Sequence, residues 1–245
     1  MTAPPPVASS GSGYVGHDEL VALEAATNYN QHIANRFAEV LARIARPAAP
    51  APAVLDFGAG IGTISRLFKQ TTGVPPLAVE IDPHQRQVLT ERGLRVSPGL
   101  YAVTDESIDL VFSSNVLEHI DDDVSALREI RQKLRPGGHL AVWVPAFPGL
   151  WTSLDDRVGH YRRYTRASLQ QALVDAGFSS CTVCYYQDSV GFLLAAGFRV
   201  FGNKQGHISP ASIRIFDRWL FPVSKAMDHV CQRWFGKNLY AVAVR

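Results

Sequence analysis

The chain has 245 residues, 47% of them apolar and 19% charged, which is enough to build a large buried core and excludes general disorder. Its 24 Lys+Arg against 22 Asp+Glu leave a formal net charge of +2, so no broad field captures nucleic acid or acidic membranes and any charge-based function is local. Three cysteines cannot make a disulfide framework, and the opening residues lack the basic and apolar regions of a signal peptide, so a cytoplasmic location is expected.

Residues 1–13 (MTAPPPVASSGSG) carry one long apolar side chain, Val7, and are expected to form a flexible arm ahead of a single domain over 14–245. A helical period begins after Asp18: Ile33, Phe37, Val40, Leu41 and Ile44 share one face, and the Ala/Pro run from Arg46 to Pro52 stops it, giving N-terminal cap helices over 14–46. From residue 53 short apolar runs alternate with helical stretches, the pattern of βαβ units and a mostly parallel sheet. The expected strands are 53–57, 77–81, 94–97, 108–113, 139–144, 181–186 and 239–244, so the core runs over 53–187 and the last strand lies in 238–245. Between them a helix starts at Asp121-Asp122-Asp123 and ends at Pro136-Gly137-Gly138, and another is capped by Thr165 and ends at Gly177. Residues 188–237 are too long for a hairpin connection and are expected to form a helical insertion, a lid or an association surface such as a homodimer interface. The apolar window 190–202 is short and interrupted by Arg199, whereas a bilayer span takes roughly 20 apolar residues, so no membrane span is expected.

The run VLDFGAGIG (54–62) is a buried strand followed by Gly58, Gly60 and Gly62 and then a helix. Glycine allows a tight turn and a close backbone approach, and the free N–H groups at a helix start attract an anion. About twenty residues on, Glu80 ends the next strand, where a carboxylate accepts hydrogen bonds from both hydroxyls of a ribose. A dinucleotide would use the same logic, but its fingerprint wants a third glycine where this chain has Thr63, and it has no need of Asp56. S-adenosylmethionine does: its methionine part offers an ammonium for Asp56 and a carboxylate for the glycine-loop amides.

This run resembles the first motif of the class I S-adenosylmethionine-dependent methyltransferases, and AVEIDP (78–83), IDLVFSSNVLEHI (108–120) and LRPGGHLAVWVPA (134–146) resemble later motifs in order. The likeness covers roughly 53–187 and is nearest the type 11/12 small-molecule enzymes. It implies an α/β, Rossmann-like seven-stranded sheet with the helical insertion before the last strand. It also implies a donor site in which Asp56, Gly58, Ala59 and Gly60 surround the methionine portion, Glu80 and Ile81 meet the ribose, and Asn115 borders the donor. His119 resembles a recurrent family histidine and is assigned to the donor pocket. One departure concerns adenine: many relatives place an acid just after the third strand, where this chain has Ser97-Pro98-Gly99-Leu100.

The acceptor is expected beyond the carboxyl ends of the fourth and fifth strands. There the loop 144–165 supplies Phe147 and Trp151 as apolar walls, and Arg162 and Arg163 as partners for a carboxylate, phosphate or diphosphate; Asp155 and Asp156 equally offer to satisfy those arginines internally. Tyr14 and Tyr29 are candidates to close the site from the N-terminal side. His160, Asp155 and Tyr161 are candidate bases, needed only if the acceptor must lose a proton. Asp121-Asp122-Asp123 reads as helix capping rather than a metal cluster, and Cys181 and Cys184 as core thiols, so no metal is called for. The expected activity is methyl transfer from S-adenosylmethionine to a small molecule. The alternatives are a donor-binding protein that regulates or cyclises without methylating, and a nucleic-acid methyltransferase, disfavoured because Ser114-Asn115-Val116-Leu117 replaces the Pro-Pro-aromatic motif of base methylases.

Overall fold

The computed structural model describes residues 21–44, 51–201 and 210–245. Tyr14 and the expected arm lie outside the described residues. The first long helix, α1 (Thr27–Ile44), buries Ile33, Phe37, Val40 and Leu41 on the face given by their spacing. All seven expected strands form: β1 (Val54–Phe57), β2 (Leu77–Val79), β3 (Arg95–Ser97), β4 (Ile108–Ser114), β5 (Leu134–Pro145), β6 (Ser180–Gln187) and β7 (Asn238–Val244). The helices between them are α2 (Thr63–Thr72), α3 (Pro83–Glu91), α4 (Asp123–Lys133), the short α5 (Ser153–Val158) and α6 (Arg166–Asp175).

The strand order is β3-β2-β1-β4-β5-β7-β6. Pairing is parallel from β3 to β5, and β7 runs antiparallel between β5 and β6. Side chains alternate across the sheet. Val111, Leu140, Val142 and Val144 face a core shared with Leu127 and Ile130 of α4 and Leu169 and Leu173 of α6. Leu110, Phe112, Ala141 and Trp143 face the opposite core, against Phe37 and Leu41 of α1 and Phe68 of α2. Each large side chain fully buried here stabilises by about 1.5–3 kcal/mol, so both layers hold the sheet in place. The helix α4 ends one turn earlier than its sequence suggests. Its C-cap Leu134 already pairs with Ile108, and Arg135–Gly138 bulge out before pairing resumes at Leu110 and His139.

The segment 188–237 contributes α7 (Ser189–Phe201), α8 (Pro210–Ile215), a π-helical turn (Phe216–Leu220) and α9 (Phe221–Cys231). It is tied to α1 by buried Asp217, which accepts the Asn28 and Tyr29 backbone N–H groups at 2.9 and 2.8 Å and so caps that helix from far along the chain. Among the described residues no helix is long and apolar enough to cross a membrane.

The chain runs outward from β1 to β3 and then returns to β4, so the order reverses between β1 and β4, where open α/β sheets leave a crevice at the carboxyl strand ends. Three of the four positive-φ non-glycine residues among the described residues lie on that edge: Asn115, Phe147 and Asp188, just past β4, β5 and β6, have φ of 53°, 59° and 64°, a backbone conformation that costs non-glycine residues roughly 1–3 kcal/mol.

Candidate functional site

The glycine loop after β1 is held by its neighbours. Gly58 and Ala59 donate their N–H groups to the Val79 carbonyl at 2.9 and 3.0 Å, and Gly58 has φ +74°. A Cβ on Gly58 would lie 2.5 Å from Val116 Cγ2, immediately after the strained Asn115, so β1 and β4 approach as closely as backbone allows. Gly58→Ala is therefore expected to cost about 2 kcal/mol in thermal unfolding and to weaken any ligand in the crevice, since both the dihedral and the contact oppose it.

Glu80, nearly fully buried at the tip of β2, is clamped by amides. One carboxylate oxygen accepts Gly60 N–H at 2.8 Å and the other accepts Asp82 N–H at 2.9 Å. Each oxygen keeps a lone pair for a further donor, in a fixed orientation. Beside it Asp56 is buried and accepts a hydrogen bond from Ser65 Oγ at 2.7 Å. Burial pushes the Asp56 carboxyl up to about 7, the Ser65 hydrogen bond opposes this, and the Glu80 charge adds to it. Ile81, next to Glu80, is 80% exposed. Glu24, which the sequence did not single out, accepts from Thr63 Oγ1 at 2.9 Å and from Arg92 at 2.7 Å, fastening the N-terminal segment to the start of α2.

The loop after β5 crosses the tip of β4. It is locked at its base, where Phe147 N–H meets the Tyr164 carbonyl and Tyr164 N–H meets the Pro145 carbonyl. Tyr164 Oη also donates to Asp123 Oδ2 at 2.6 Å. Asp155 organises the interior of the loop. It accepts Thr152 N–H, His160 Nδ1 at 2.7 Å, and Arg163 Nε and Nη2 at 2.7 and 3.0 Å. Burial alone would raise its pKa, but the His160 and Arg163 hydrogen bonds and the Arg163 charge outweigh that and hold the carboxyl well below the usual range. Arg162 pairs with Asp123 Oδ1 at 2.6 Å and with the Asp121 carbonyl. Both arginines thus have carboxylate partners within the protein, Arg163 almost wholly buried and Arg162 with 31% of its side chain exposed. Asp122 caps α4 through Ser125 N–H, as the acidic triplet suggests.

Phe147 stacks on Tyr186 with ring centroids 4.6 Å apart and meets Phe192 of α7 edge-on at 5.3 Å, so it joins the core loop to the insertion. Trp151 donates its indole N–H to Asp156 and faces His160 edge-on at 6.4 Å. Tyr161 is exposed, and its backbone N–H is held by the Glu118 carbonyl. Tyr29 packs between Trp143 and Phe221, and its hydroxyl accepts from Trp143 Nε1 and Asn238 Nδ2. Burial raises its pKa, first of all, and the Asp188 charge adds to this.

Glu118 and His119 lie in the 3-10 turn after β4 and meet His160, with the two imidazoles edge-to-face at 4.6 Å. Glu118 is fully buried, which pushes its carboxyl up to about 8; His119 is pushed down to about 4 by burial and the neighbouring His160. Sequence singled out His119 and His160 separately and passed over Glu118. Nothing in a linear spacing of 42 residues joins His160 to the Glu118-His119 pair; only the crossing of the two loops does.

A sequence profile described as a methyltransferase domain matches residues 29–182. An uncharacterised methyltransferase of Mycobacterium sp. (strain KMS) is 32% identical over 160 residues, covering 58% of this chain and 63% of its own length. Among solved structures, the complex between the Haloferax volcanii Trm112 methyltransferase activator and a methyltransferase aligns with a TM-score of 0.61 and 20% identity over 95% of this chain and 97% of that one. A Haemonchus contortus phosphoethanolamine N-methyltransferase 2, bound to phosphomonomethylethanolamine and S-adenosylhomocysteine, aligns at 0.57 and 19% identity over 86% of this chain and 52% of that one.

Proposed function

The chain belongs to the class I S-adenosylmethionine-dependent methyltransferases, and from that premise we propose that it transfers the methyl group of S-adenosylmethionine to a small-molecule acceptor. The supporting observation is the clamped Glu80 carboxylate beside buried Asp56 and the strained glycine loop. In this reading Glu80 takes the ribose hydroxyls, Ile81 covers the nucleoside, and the Gly58–Gly60 backbone receives the methionine carboxylate. Asp56 takes the donor's ammonium, directly or through water, and Asn115 and His119 border the methyl group. Transfer from a sulfonium is an in-line displacement with a good leaving group, so the protein contributes alignment and exclusion of water.

The acceptor enters from the loop after β5, against Phe147, Trp151 and the insertion. Arg162 keeps an exposed edge despite its bond to Asp123, which supports an anionic group on the acceptor, and the phosphate-bearing ligand of the Haemonchus enzyme is of that kind. The test is incubation with S-adenosylmethionine and a metabolite panel, scored for S-adenosylhomocysteine and for products heavier by one methyl group. Arg162→Ala is expected to raise KM for an anionic acceptor roughly 10-fold with the donor Kd unchanged. An unchanged KM would remove the anionic reading, and donor binding without any S-adenosylhomocysteine would favour a non-methylating protein.

A further inference from the structure

We propose that Glu118, His119 and His160 form a binding site for a divalent transition-metal ion at the tip of β4, with Asp155 orienting His160. One ligand atom from each of the three lies within 4.8 Å of the others. A shared ion needs bonds of about 2.0–2.2 Å, so small side-chain rotations close the set around a common centre.

The second observation is the state of Glu118. Its side chain is 1% exposed, and neither carboxylate oxygen has a hydrogen-bond partner in another residue. A buried carboxyl is paired, held protonated or bound to metal, because a bare buried charge costs several kcal/mol, and an arriving cation displaces the proton. Asp155, equally buried in the loop after β5, shows what a satisfied carboxylate looks like here: its oxygens accept from Thr152, His160 and Arg163.

The histidine is arranged accordingly. His160 Nδ1 is bound to Asp155 Oδ1 at 2.7 Å, while its Nε2 is 4.0 Å from Glu118 Oε1. A carboxylate holding Nδ1–H fixes the tautomer and leaves the Nε2 lone pair directed at a metal. His119 is steadied by the backbone of Val158 and Gly159. Arg163 does not compete for Glu118, since Asp155 already holds its guanidinium on two bonds. With 13% of its side chain exposed, His160 leaves a route in from solvent.

Two imidazoles and one carboxylate suit zinc, manganese or ferrous iron and leave coordination positions open. Those positions border the entrance assigned to the acceptor, so an acceptor oxygen is the natural further ligand. That use rests on the methyl-transfer reading; binding of the ion does not.

Untagged protein, stripped by chelator and titrated with cobalt(II) chloride, is expected to bind one equivalent and develop visible d–d absorption. Glu118→Gln and His160→Asn, confirmed folded by circular dichroism, should each weaken binding at least about 100-fold, and Asp155→Asn about 10–100-fold. If Glu118→Gln does not fold, His119→Asn takes its place. Wild type that binds no cobalt(II), or folded variants that bind it as wild type does, overturn the site. Calorimetry with S-adenosylmethionine on the same samples separates the two ideas: donor heat without cobalt binding defeats the metal site alone, and cobalt binding without donor heat defeats the methyl-transfer reading alone.

Discussion

Replacing Asp56 with asparagine is expected, on the proposed donor site, to weaken S-adenosylmethionine binding roughly 100-fold while making the protein more stable above neutral pH, because burial penalises the carboxylate's charge. In the folded chain this carboxyl titrates near 7 instead of 3.8. Below about pH 4 both folded and unfolded states hold the proton, and no penalty exists. Between 4 and 7 the native state binds more protons than the unfolded state, so stability falls as pH rises, and above 7 the whole penalty stands. At about 1.4 kcal/mol per pKa unit the ceiling is ~4 kcal/mol, and a buried amide recovers only part of it. A gain near 2 kcal/mol corresponds to a Tm rise of ~4–8 °C for a chain of this size. Melts at pH 8 should show that gain and melts at pH 4 should not, while calorimetry at pH 8 shows the lost affinity. Full donor affinity in Asp56→Asn would remove Asp56 from the donor site, and a melting point unmoved at pH 8 would mean that its charge carries no burial penalty.

The scaffold was legible because its signals are local and repeated. Seven apolar runs, the strand–glycine–helix sequence at 54–62 and the acid at position 80 each declare themselves within a few residues, and the sheet places all of them as their spacing requires. The helix faces were equally readable, since Ile33, Phe37 and Leu41 can be buried together only on one side of α1. What the sequence could not rank was the choice of partners within the 144–165 loop. Arg162, Arg163, Asp155 and Asp156 offer several pairings, and the outcome depends on α4 presenting Asp123 and Asp121 to Arg162 and on Thr152 starting a turn that buries Asp155 under Arg163. The end of α4 was misplaced for a similar reason: Pro136-Gly137-Gly138 is a strong stop signal, but pairing of Leu134 with Ile108 ends the helix before the signal is reached. The partners of Tyr29 are equally hidden in the sequence, since Asp217 and Phe221 of the distant insertion hold its backbone and ring.

Asp155 carries the largest structural consequence in the candidate site. It bonds to four groups, and its removal leaves the Arg163 guanidinium, 8% exposed, without a counter-charge. Breaking a buried pair in this way costs ~3–5 kcal/mol, so Asp155→Ala is expected to lower Tm by roughly 10 °C and to collapse the loop after β5. Asp155→Asn keeps the Thr152 capping bonds and should lose less. The pH dependence has the opposite sense to that of Asp56. The Asp155 carboxyl is held below its unfolded value, so its contribution is fully present above about pH 4 and is lost as pH falls through the lower folded value. Wild type should therefore destabilise on acidification below pH 4 more steeply than Asp155→Asn, and the two curves should converge in strong acid. Parallel curves would show that the carboxylate is not the group that Arg163 and His160 hold. The two acids thus differ in sign: one is stabilised by its charge and fixes the loop, and the other is destabilised by its charge, as the proposed role toward the donor's ammonium requires.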